Sequence, residues 1–386
     1  AARQLGVDLD SVCGGRGICS KCQIQPSYGE FSKHGVTVAD DALTEFNAVE
    51  ERYDRVRGLK TGRRLGCQAC IQSDVVIDVP PESQVHRQVV RKAATDRDIV
   101  MDPATALYYV EVAEADMHDP SGDLERLETA LREQWDIDGI SAPLSVLRKL
   151  QPVLRKGAFK ATVALNRDHH GGKHRLIDIF PGFDETPIFG LAIDLGSTTI
   201  AAHLCDLKTG AVIGSSGIMN PQIRFGEDLM SRVSYSMMNK GGDVEMTTVV
   251  REAINTLASE LASEAQIDAA RIMETVFVCN PVMHHLLLGI DPVELGQAPF
   301  ALATAESMTL DARDLDLNAL NPAGRVYILP CIAGHVGADC AAVALSEEPQ
   351  KSKDLALMVD VGTNAEILLG NTERVLACSS PTGPAF

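Results

Sequence analysis

Closely spaced cysteines lie in a glycine-rich loop near the start of the 386-residue chain. The three cysteines are Cys13, Cys19 and Cys22, and the glycines between them are Gly14, Gly15 and Gly17. Glycine allows a loop to adopt positive φ and lets backbone N–H groups approach whatever the loop encloses. A fourth cysteine, Cys67, follows after a long gap. Because thiolates are soft metal ligands, this pattern predicts a metal centre built on sulfur.

The spacing of the four cysteines favours an iron–sulfur cluster. Three clustered cysteines and one distant cysteine is the ligand layout of ferredoxins that hold a [2Fe–2S] cluster. The short spacings resemble those of vertebrate-type and adrenodoxin-like ferredoxins. We therefore predict that four thiolates hold such a cluster. These ligands are Cys13, Cys19, Cys22 and Cys67.

Two alternatives for these cysteines stay open at this point. A structural zinc ion prefers two short C-x2–4-C knuckles, and that set would leave Cys13 unused. Its members would be Cys19, Cys22, Cys67 and Cys70. Disulfides fit less well, because no signal peptide is visible and further cysteines occur in apolar contexts, which indicates a reducing compartment such as the cytoplasm. These further cysteines are Cys205, Cys279, Cys331, Cys340 and Cys378.

A second chemical signal is a strand–turn–strand pattern that begins at residue 191. Apolar residues lead to Asp194 and Gly196, and an apolar stretch resumes at Ile200. The turn also carries three hydroxyl residues, which are Ser197, Thr198 and Thr199. Backbone N–H groups and hydroxyls suit phosphate oxygens, and a carboxylate can hold Mg²⁺. A single Asp-x-Gly turn can equally close an ordinary hairpin.

The same pattern recurs one domain length further along the chain. Asp360 and Gly362 again follow an apolar stretch, and Thr363 and Asn364 complete the turn. Two such turns suggest a duplicated fold that faces one nucleotide from both sides. We therefore expect Asp194 and Asp360 to serve one Mg-nucleotide site. The predicted phosphate-binding residues are Gly196, Ser197, Thr198, Thr199, Gly362, Thr363 and Asn364.

Two pairs of adjacent histidines also occur, and we expect structural roles for both. His169 and His170 lie in a glycine-rich turn without a carboxylate partner at ligand spacing, which is typical of a solvated loop. His284 and His285 precede three leucines, which indicates the start of a helix with at least one imidazole turned inward. Neither pair is predicted to bind metal.

Composition excludes several classes of function. The chain is 45% hydrophobic and 23% charged, as expected of a globular protein with about two to four domains. No apolar run reaches membrane-spanning length. The net charge of −18 argues against non-specific binding of nucleic acid. We therefore expect neither a membrane nor a nucleic acid as partner.

Four segments follow from the patterns along the chain. Residues 1–80 contain the cysteines, and residues 81–101 form a charged linker. Residues 102–187 form a small α+β module without evident chemistry. Residues 188–386 contain both Asp-x-Gly turns.

Taken together, the motifs resemble those of the reductive activators of corrinoid proteins. The resemblance implies a multidomain α+β and α/β protein: a β-grasp ferredoxin-like domain, a small middle domain and an ATPase domain of the actin, Hsp70 and sugar-kinase type. It also implies a piece of a longer protein, without the ferredoxin's first hairpin and the second half of the ATPase. The resemblance rests on the four cysteines, residues 194–199, Asn220-Pro-Gln, and residues 283–289, 337–339, 360–366 and 378–386.

The resemblance implies ATP-dependent reduction of a corrinoid protein from Co(II) to Co(I). The implied cofactors are a [2Fe–2S] cluster, ATP and Mg²⁺. The implied partners are a corrinoid protein or corrinoid-dependent methyltransferase and an upstream electron donor, and a homodimer is compatible with it. An alternative is a ferredoxin-linked oxidoreductase or electron carrier whose C-terminal part binds a nucleotide or metabolite without driving reduction. Two roles stay open for residues 220–232 and 334–339: carrying the nucleotide state to a partner surface, or closing the ATP site.

Overall fold

The structure is a computed structural model. It describes residues 9, 13, 15–19, 21–31, 35–80, 83, 100–167, 172–226, 228–362 and 364–381. The predicted loop with His169 and His170 lies outside these residues, as does Thr363. Across the described ranges no helix is both long and apolar enough to cross a membrane.

The described part of the first unit contains a small antiparallel sheet and one helix. Strand β1 pairs with β4 on one side and with β5 on the other, and β2 and β3 form a separate hairpin. The elements are β1 (Gln23–Ser27), β2 (Gly29–Phe31), β3 (Val36–Val38), α1 (Ala48–Arg57), β4 (Arg64–Leu65) and β5 (Val76–Asp78).

Helix α1 begins at Ala48 because Asn47 caps it. The Asn47 side chain accepts hydrogen bonds from the backbone N–H groups of Val49 and Glu50, and the Glu50 carboxylate accepts from the Asn47 N–H. This reciprocal capping box satisfies N–H groups that have no partner within the helix. The cap therefore sets both the start and the direction of α1.

A buried ion pair ties α1 to strand β4. Arg64 donates from Nε and a terminal nitrogen to the two oxygens of the fully buried Glu50, at 2.9 and 2.7 Å. The Leu65 N–H donates to the same carboxylate at 2.9 Å. Arg64 also donates to the carbonyl of Thr44 at 2.8 Å. These bonds fix the chain just before Cys67 relative to the helix.

The second unit is a four-stranded sheet covered by two helices. Its strand order is β6-β8-β9-β7, and apolar side chains of both helices, such as Leu131 and Leu154, are fully buried with those of β8. Its elements are β6 (Thr105–Glu111), α2 (Asp123–Trp135), β7 (Ile140–Ser141), α3 (Leu144–Lys156), β8 (Lys160–Asn166) and β9 (His174–Pro181).

The third unit contains a six-stranded mixed sheet in the order β12-β11-β10-β13-β15-β14. Strands β10, β13 and β15 run parallel, whereas β11, β12 and β14 pair antiparallel with their neighbours. The long helix α5 buries Val250, Leu257 and Leu261 against this sheet. The strands are β10 (Phe189–Leu195), β11 (Thr199–Asp206), β12 (Val212–Met219), β13 (Ile272–Cys279), β14 (Met308–Asp311) and β15 (Arg325–Ile328).

Four helices and a second sheet complete the third unit. The helices are α4 (Leu229–Met238), α5 (Gly242–Glu264), α6 (Pro281–Leu288) and α7 (Ala338–Glu347). The second sheet is an antiparallel meander whose strands are β16 (Ala356–Val361), β17 (Asn364–Gly370) and β18 (Val375–Pro381). Polar contacts join the second and third units, among them Asn321 to Asp178 at 2.9 Å and Arg271 to Asp184 at 2.5 Å.

We predict that Arg64→Ala destabilises the first unit by about 3–5 kcal/mol, because it leaves the buried Glu50 carboxylate without its cationic partner. Amide hydrogen exchange should therefore accelerate in α1 and β4 while the other two units keep their protection. Arg55→Ala, at an exposed position of the same helix, is the matched control. Unchanged protection of α1 in Arg64→Ala would contradict the assigned role.

Candidate functional sites: a thiol group and an acidic cleft

The four predicted cluster ligands lie together in two hydrogen-bonded pairs. Cys13 is paired with Cys19, and Cys22 is paired with Cys67. In each pair the hydrogen bond lowers the pKa of one thiol and raises that of its partner: Cys13 and Cys67 are lowered, whereas Cys19 and Cys22 are raised. A lowered thiol pKa favours the thiolate, which is the form that binds metal.

Backbone N–H groups of the loop favour the thiolate form of two of these sulfurs. Those of Ile18 and Cys19 lower the pKa of the Cys13 thiol, and that of Gly17 lowers the pKa of the Cys67 thiol, whereas the Arg16 N–H donates to the Cys13 carbonyl at 3.4 Å. Gly17 has a φ of +65°, and a Cβ there would lie 2.5 Å from Val49 Cγ1. Glycine is therefore required at this position for both conformation and space.

The arrangement in pairs bears on the kind of metal centre. Among the described residues, no group of three or more His, Cys, Asp or Glu side chains is placed to hold a single metal ion. A [2Fe–2S] cluster has two irons that share four protein ligands, so two pairs of thiols match its donor set. Cys70, which the zinc alternative needs, is exposed, and its backbone N–H is held by the Thr44 hydroxyl at 3.0 Å. The residues fit the two-iron cluster better than zinc.

The first Asp-x-Gly turn connects β10 to β11 and is held from behind by buried polar side chains. Asn220 donates to the Gly196 carbonyl at 2.8 Å, and Asn280 donates to the Ser197 hydroxyl at 3.0 Å. The Arg232 guanidinium donates to the Ser197 carbonyl. Ser197 is itself buried, so its hydroxyl supports the turn from the interior.

Arg232 supports the first turn from the interior. Its side chain is fully buried and also donates to the Gly226 carbonyl at 3.0 Å and to the Gln222 side chain at 3.1 Å. Burial lowers its pKa to about 9. Arg232 and Gln222 are both inaccessible, so these two side chains cannot contact a partner directly, whereas Met230 of the same segment is exposed.

The second turn connects β16 to β17 and faces the first across a cleft. A cavity of about 280 Å³ is lined by both turn carboxylates, Asp194 and Asp360, together with Asp339 at the start of α7. Asp194 lies opposite Val278 in the parallel pair β10–β13, so both strands open into this cleft at their carboxyl ends. That edge is where α/β sheets commonly bind ligands. The expected meeting of the two turns is therefore found.

Two further carboxylates were missed as site residues. Burial raises the pKa of Asp339 to about 6, and the charges of Asp194 and Asp360 add to the effect. Burial likewise raises the pKa of Glu366 to about 7, with contributions from Asp339 and Asp360. Glu366 pairs directly with Asp360 across β16 and β17. The sequence signal for Asp339 is its position after a strand, in the segment Gly337-Ala-Asp339 at the start of a helix.

Close packing holds Asp339 in this cleft. A Cβ on Gly337 would lie 2.5 Å from the Cys279 carbonyl oxygen and 2.6 Å from the Asn280 Cα. Only glycine lets the start of α7 approach the end of β13 this closely. Carboxylate oxygens are the ligands that Mg²⁺ prefers, and a divalent cation would offset their mutual repulsion. The residues of the cleft therefore fit Mg²⁺.

The histidine pair of α6 is part of the interior, as predicted. His285 is bonded through Nδ1 to the Pro281 carbonyl at 3.0 Å and accepts the Ala303 N–H at Nε2 at 3.1 Å. His284 is fully buried, and burial lowers its pKa to about 4, with a further effect of His285. Both imidazoles are therefore neutral near pH 7.

A larger cavity of about 1180 Å³ lies between the second unit and the sheet of the third. Its polar centre is the buried Asp311, which accepts from Arg175 at 2.6 Å, from Arg313 at 2.7 Å and from Arg325. The pair with Arg175 joins the two units, whereas Arg313 and Arg325 belong to the same unit as Asp311. Neither Asp-x-Gly turn reaches this cavity, so the acidic cleft is the candidate nucleotide site.

Comparison with known proteins matches three consecutive stretches of the chain to one family. Residues 94–186 match the RACo linker region, residues 189–352 match the RACo middle region, and residues 354–386 match the C-terminal domain of RACo, the ASKHA domain. A solved structure described as a reductive activator for corrinoid,iron-sulfur protein aligns with a TM-score of 0.69 and 28% identity. That alignment covers 100% of this chain and 60% of the other.

Two curated relatives agree. The corrinoid activation enzyme RamQ of Eubacterium limosum is 28% identical over 384 residues, which is 99% of this chain and 57% of RamQ. The [Co(II) methylated amine-specific corrinoid protein] reductase of Methanosarcina barkeri is 26% identical over 212 residues, which is 52% of this chain and 37% of the reductase. The chain thus spans less than three-fifths of the length of either relative.

The structure is thus of mixed α/β class, and its residues 354–386 belong to an ASKHA-like domain. The chain belongs to the RACo family, the reductive activators of corrinoid proteins.

We predict that Asp339→Asn raises the melting temperature at pH 8 but not at pH 4. The native pKa of about 6 lies above the ordinary value of 3.8, so the native state retains a proton that the unfolded state has lost. Stability is therefore lost as the pH rises from about 4 to 6. Removing the charge should restore about 1 kcal/mol, or about 2–4 °C. The melting temperature is measured without divalent cations, and Asp354→Asn, at an exposed position, is the control. Equal shifts of the melting temperature at pH 4 and pH 8 would contradict the prediction.

Proposed function

We propose that this chain is the electron-donating and nucleotide-binding part of an ATP-dependent activator that reduces a corrinoid protein from Co(II) to Co(I). The observation that carries the proposal is the coexistence of two sites in one chain. Four thiols lie in two pairs in the first unit, and the carboxylates of two Asp-x-Gly turns meet in one cleft of the third. The relatives named above activate or reduce corrinoid proteins.

The thiol group supports the electron-transfer half of the proposal. The proposed ligands are Cys13, Cys19, Cys22 and Cys67. When bound, a [2Fe–2S] cluster supplies one electron at a time, which matches the one-electron change from Co(II) to Co(I). The loop N–H groups that point at Cys13 and Cys67 favour the negative charge of the thiolates.

The acidic cleft supports the nucleotide half. Asp194 and Asp360 are proposed to hold Mg²⁺, and Asp339 lines the same cavity. The proposed phosphate-binding groups belong to the two turns: Gly196, Ser197, Thr198, Thr199, Gly362, Thr363 and Asn364. Among them Ser197 is buried, so we assign phosphate contact there to the backbone rather than to the hydroxyl.

Coupling of the two halves is required by the chemistry. Returning an electron to Co(II) is uphill from ordinary donors, and each tenfold change in a one-electron equilibrium corresponds to only about 59 mV. A nucleotide that binds two conformational states with different affinity can shift this equilibrium by several factors of ten. The proposed partners are a corrinoid protein or corrinoid-dependent methyltransferase and an upstream electron donor.

We predict that the four ligand cysteines, and not Cys70, are needed for cluster assembly. Single replacements by serine in the full-length protein should lower iron, acid-labile sulfide and visible absorbance after anaerobic reconstitution. Cys70→Ser is the matched control, because Cys70 is exposed and its backbone alone is held. A colourless Cys70→Ser protein beside a fully coloured Cys67→Ser protein would show that the fourth ligand is misassigned.

The function itself is tested by anaerobic reduction of a Co(II) corrinoid protein by the full-length protein, with and without ATP. We expect ATP to accelerate Co(I) formation, followed by its visible absorption. Asp194→Ala should lower both ATP turnover and ATP-stimulated reduction at least about 100-fold, because it removes a preorganised charge beside the phosphates. Asp354→Ala, an exposed carboxylate of the same unit, should retain both. Reduction at equal rates without ATP would favour a simple electron carrier.

A further inference from the structure

Gln68 connects the two parts of the thiol site. It directly follows Cys67, and its Nε2 donates to the Gly15 carbonyl at 2.8 Å and to the Cys67 sulfur at 3.6 Å. One amide therefore bridges the three-cysteine loop and the turn that carries the distant cysteine.

The orientation of this amide is fixed by Asn47. The Oδ1 of Asn47 is occupied by the N–H groups of Val49 and Glu50, at 2.9 and 3.0 Å. Its Nδ2 is thereby turned outward and donates to Gln68 Oε1 at 3.3 Å. The carbonyl end of Gln68 thus faces Asn47, and only its N–H end can face the Cys67 sulfur. One chain of hydrogen bonds therefore caps the helix and also determines which end of the Gln68 amide faces the Cys67 sulfur.

We propose that Gln68 raises the reduction potential of the centre at Cys67, and that Asn47 is the positioning residue that aims it. Addition of one electron from a low-potential donor increases the negative charge on the sulfur ligands, and a hydrogen bond strengthens with the charge of its acceptor. The N–H of Gln68 therefore stabilises the reduced state more than the oxidised state. No bond is broken and no proton is transferred, because the amide does not titrate. The inference rests on the proposed cluster.

A purely structural role for Gln68 makes a different prediction. The bond to the Gly15 carbonyl alone would hold the loop and affect how much cluster is assembled. It would leave the potential of the assembled cluster unchanged. The potential, measured after normalising to iron and sulfide content, therefore separates tuning from scaffolding.

Three variants test the proposal in the reconstituted full-length protein. Gln68→Leu removes the donor to sulfur. Asn47→Ser keeps a good helix cap but is too short to hold the Gln68 amide. Gln72→Leu changes an exposed glutamine nearby and serves as the control. Each is titrated with a low-potential chemical reductant and mediators, and the reduced fraction is followed by electron paramagnetic resonance.

We expect Gln68→Leu to shift the reduction equilibrium about tenfold toward the oxidised state, which is about 59 mV more negative for one electron. Asn47→Ser should shift it in the same direction by less, and should add nothing in the Gln68→Leu background. A wild-type reduction potential in Gln68→Leu would overturn this inference but would leave the proposed function standing. If Gln68→Leu does not assemble a cluster, an unshifted Asn47→Ser overturns it. Failure of the wild-type protein to bind iron and sulfide would defeat the proposed function itself.

Discussion

The parallel pairing of β10 with β13 is the constraint on which the nucleotide site depends. It places Asp194 opposite Val278 and Leu195 opposite Cys279, so that the turn after β10 and the helix start after β13 lie side by side. Asn280, the N-cap of α6, can then reach the Ser197 hydroxyl. The close approach at Gly337 brings α7 to the same edge. Three elements far apart in sequence thus converge because two strands run in the same direction.

In the first unit, polar contacts rather than a large apolar core hold the helix against the turn that carries Cys67. Its buried apolar cluster is small and is formed around Cys22, Tyr53 and Leu65. The Glu50–Arg64 pair and the Asn47 cap instead fix α1 against the turn that carries Cys67. Buried ion pairs contribute little net stability but are costly to break, so this pair serves mainly to define one arrangement of the thiols.

Much of the fold could be predicted from the sequence, because its helices and strands have clear apolar periodicity. The meeting of Asp194 and Asp360 followed from the repeated turn. Asp339 and Glu366 could not be assigned in the same way, since their role arises from neighbours on other elements. The sequence also gave no sign that Arg232 is buried: charge beside glycine suggested a surface, whereas its guanidinium bonds to backbone carbonyls of Ser197 and Gly226.

The exposure of Cys70 has a practical consequence for spectroscopy. Its thiol is open to solvent only three residues after Cys67, whereas Cys13 and Cys22 are buried. Its backbone is hydrogen-bonded to Thr44, so a reporter group on Cys70 would be attached at a fixed point of the fold. A spin label or fluorophore on Cys70 could then measure the approach of a docking partner to the thiol site over tens of ångströms, with all four proposed ligands left intact.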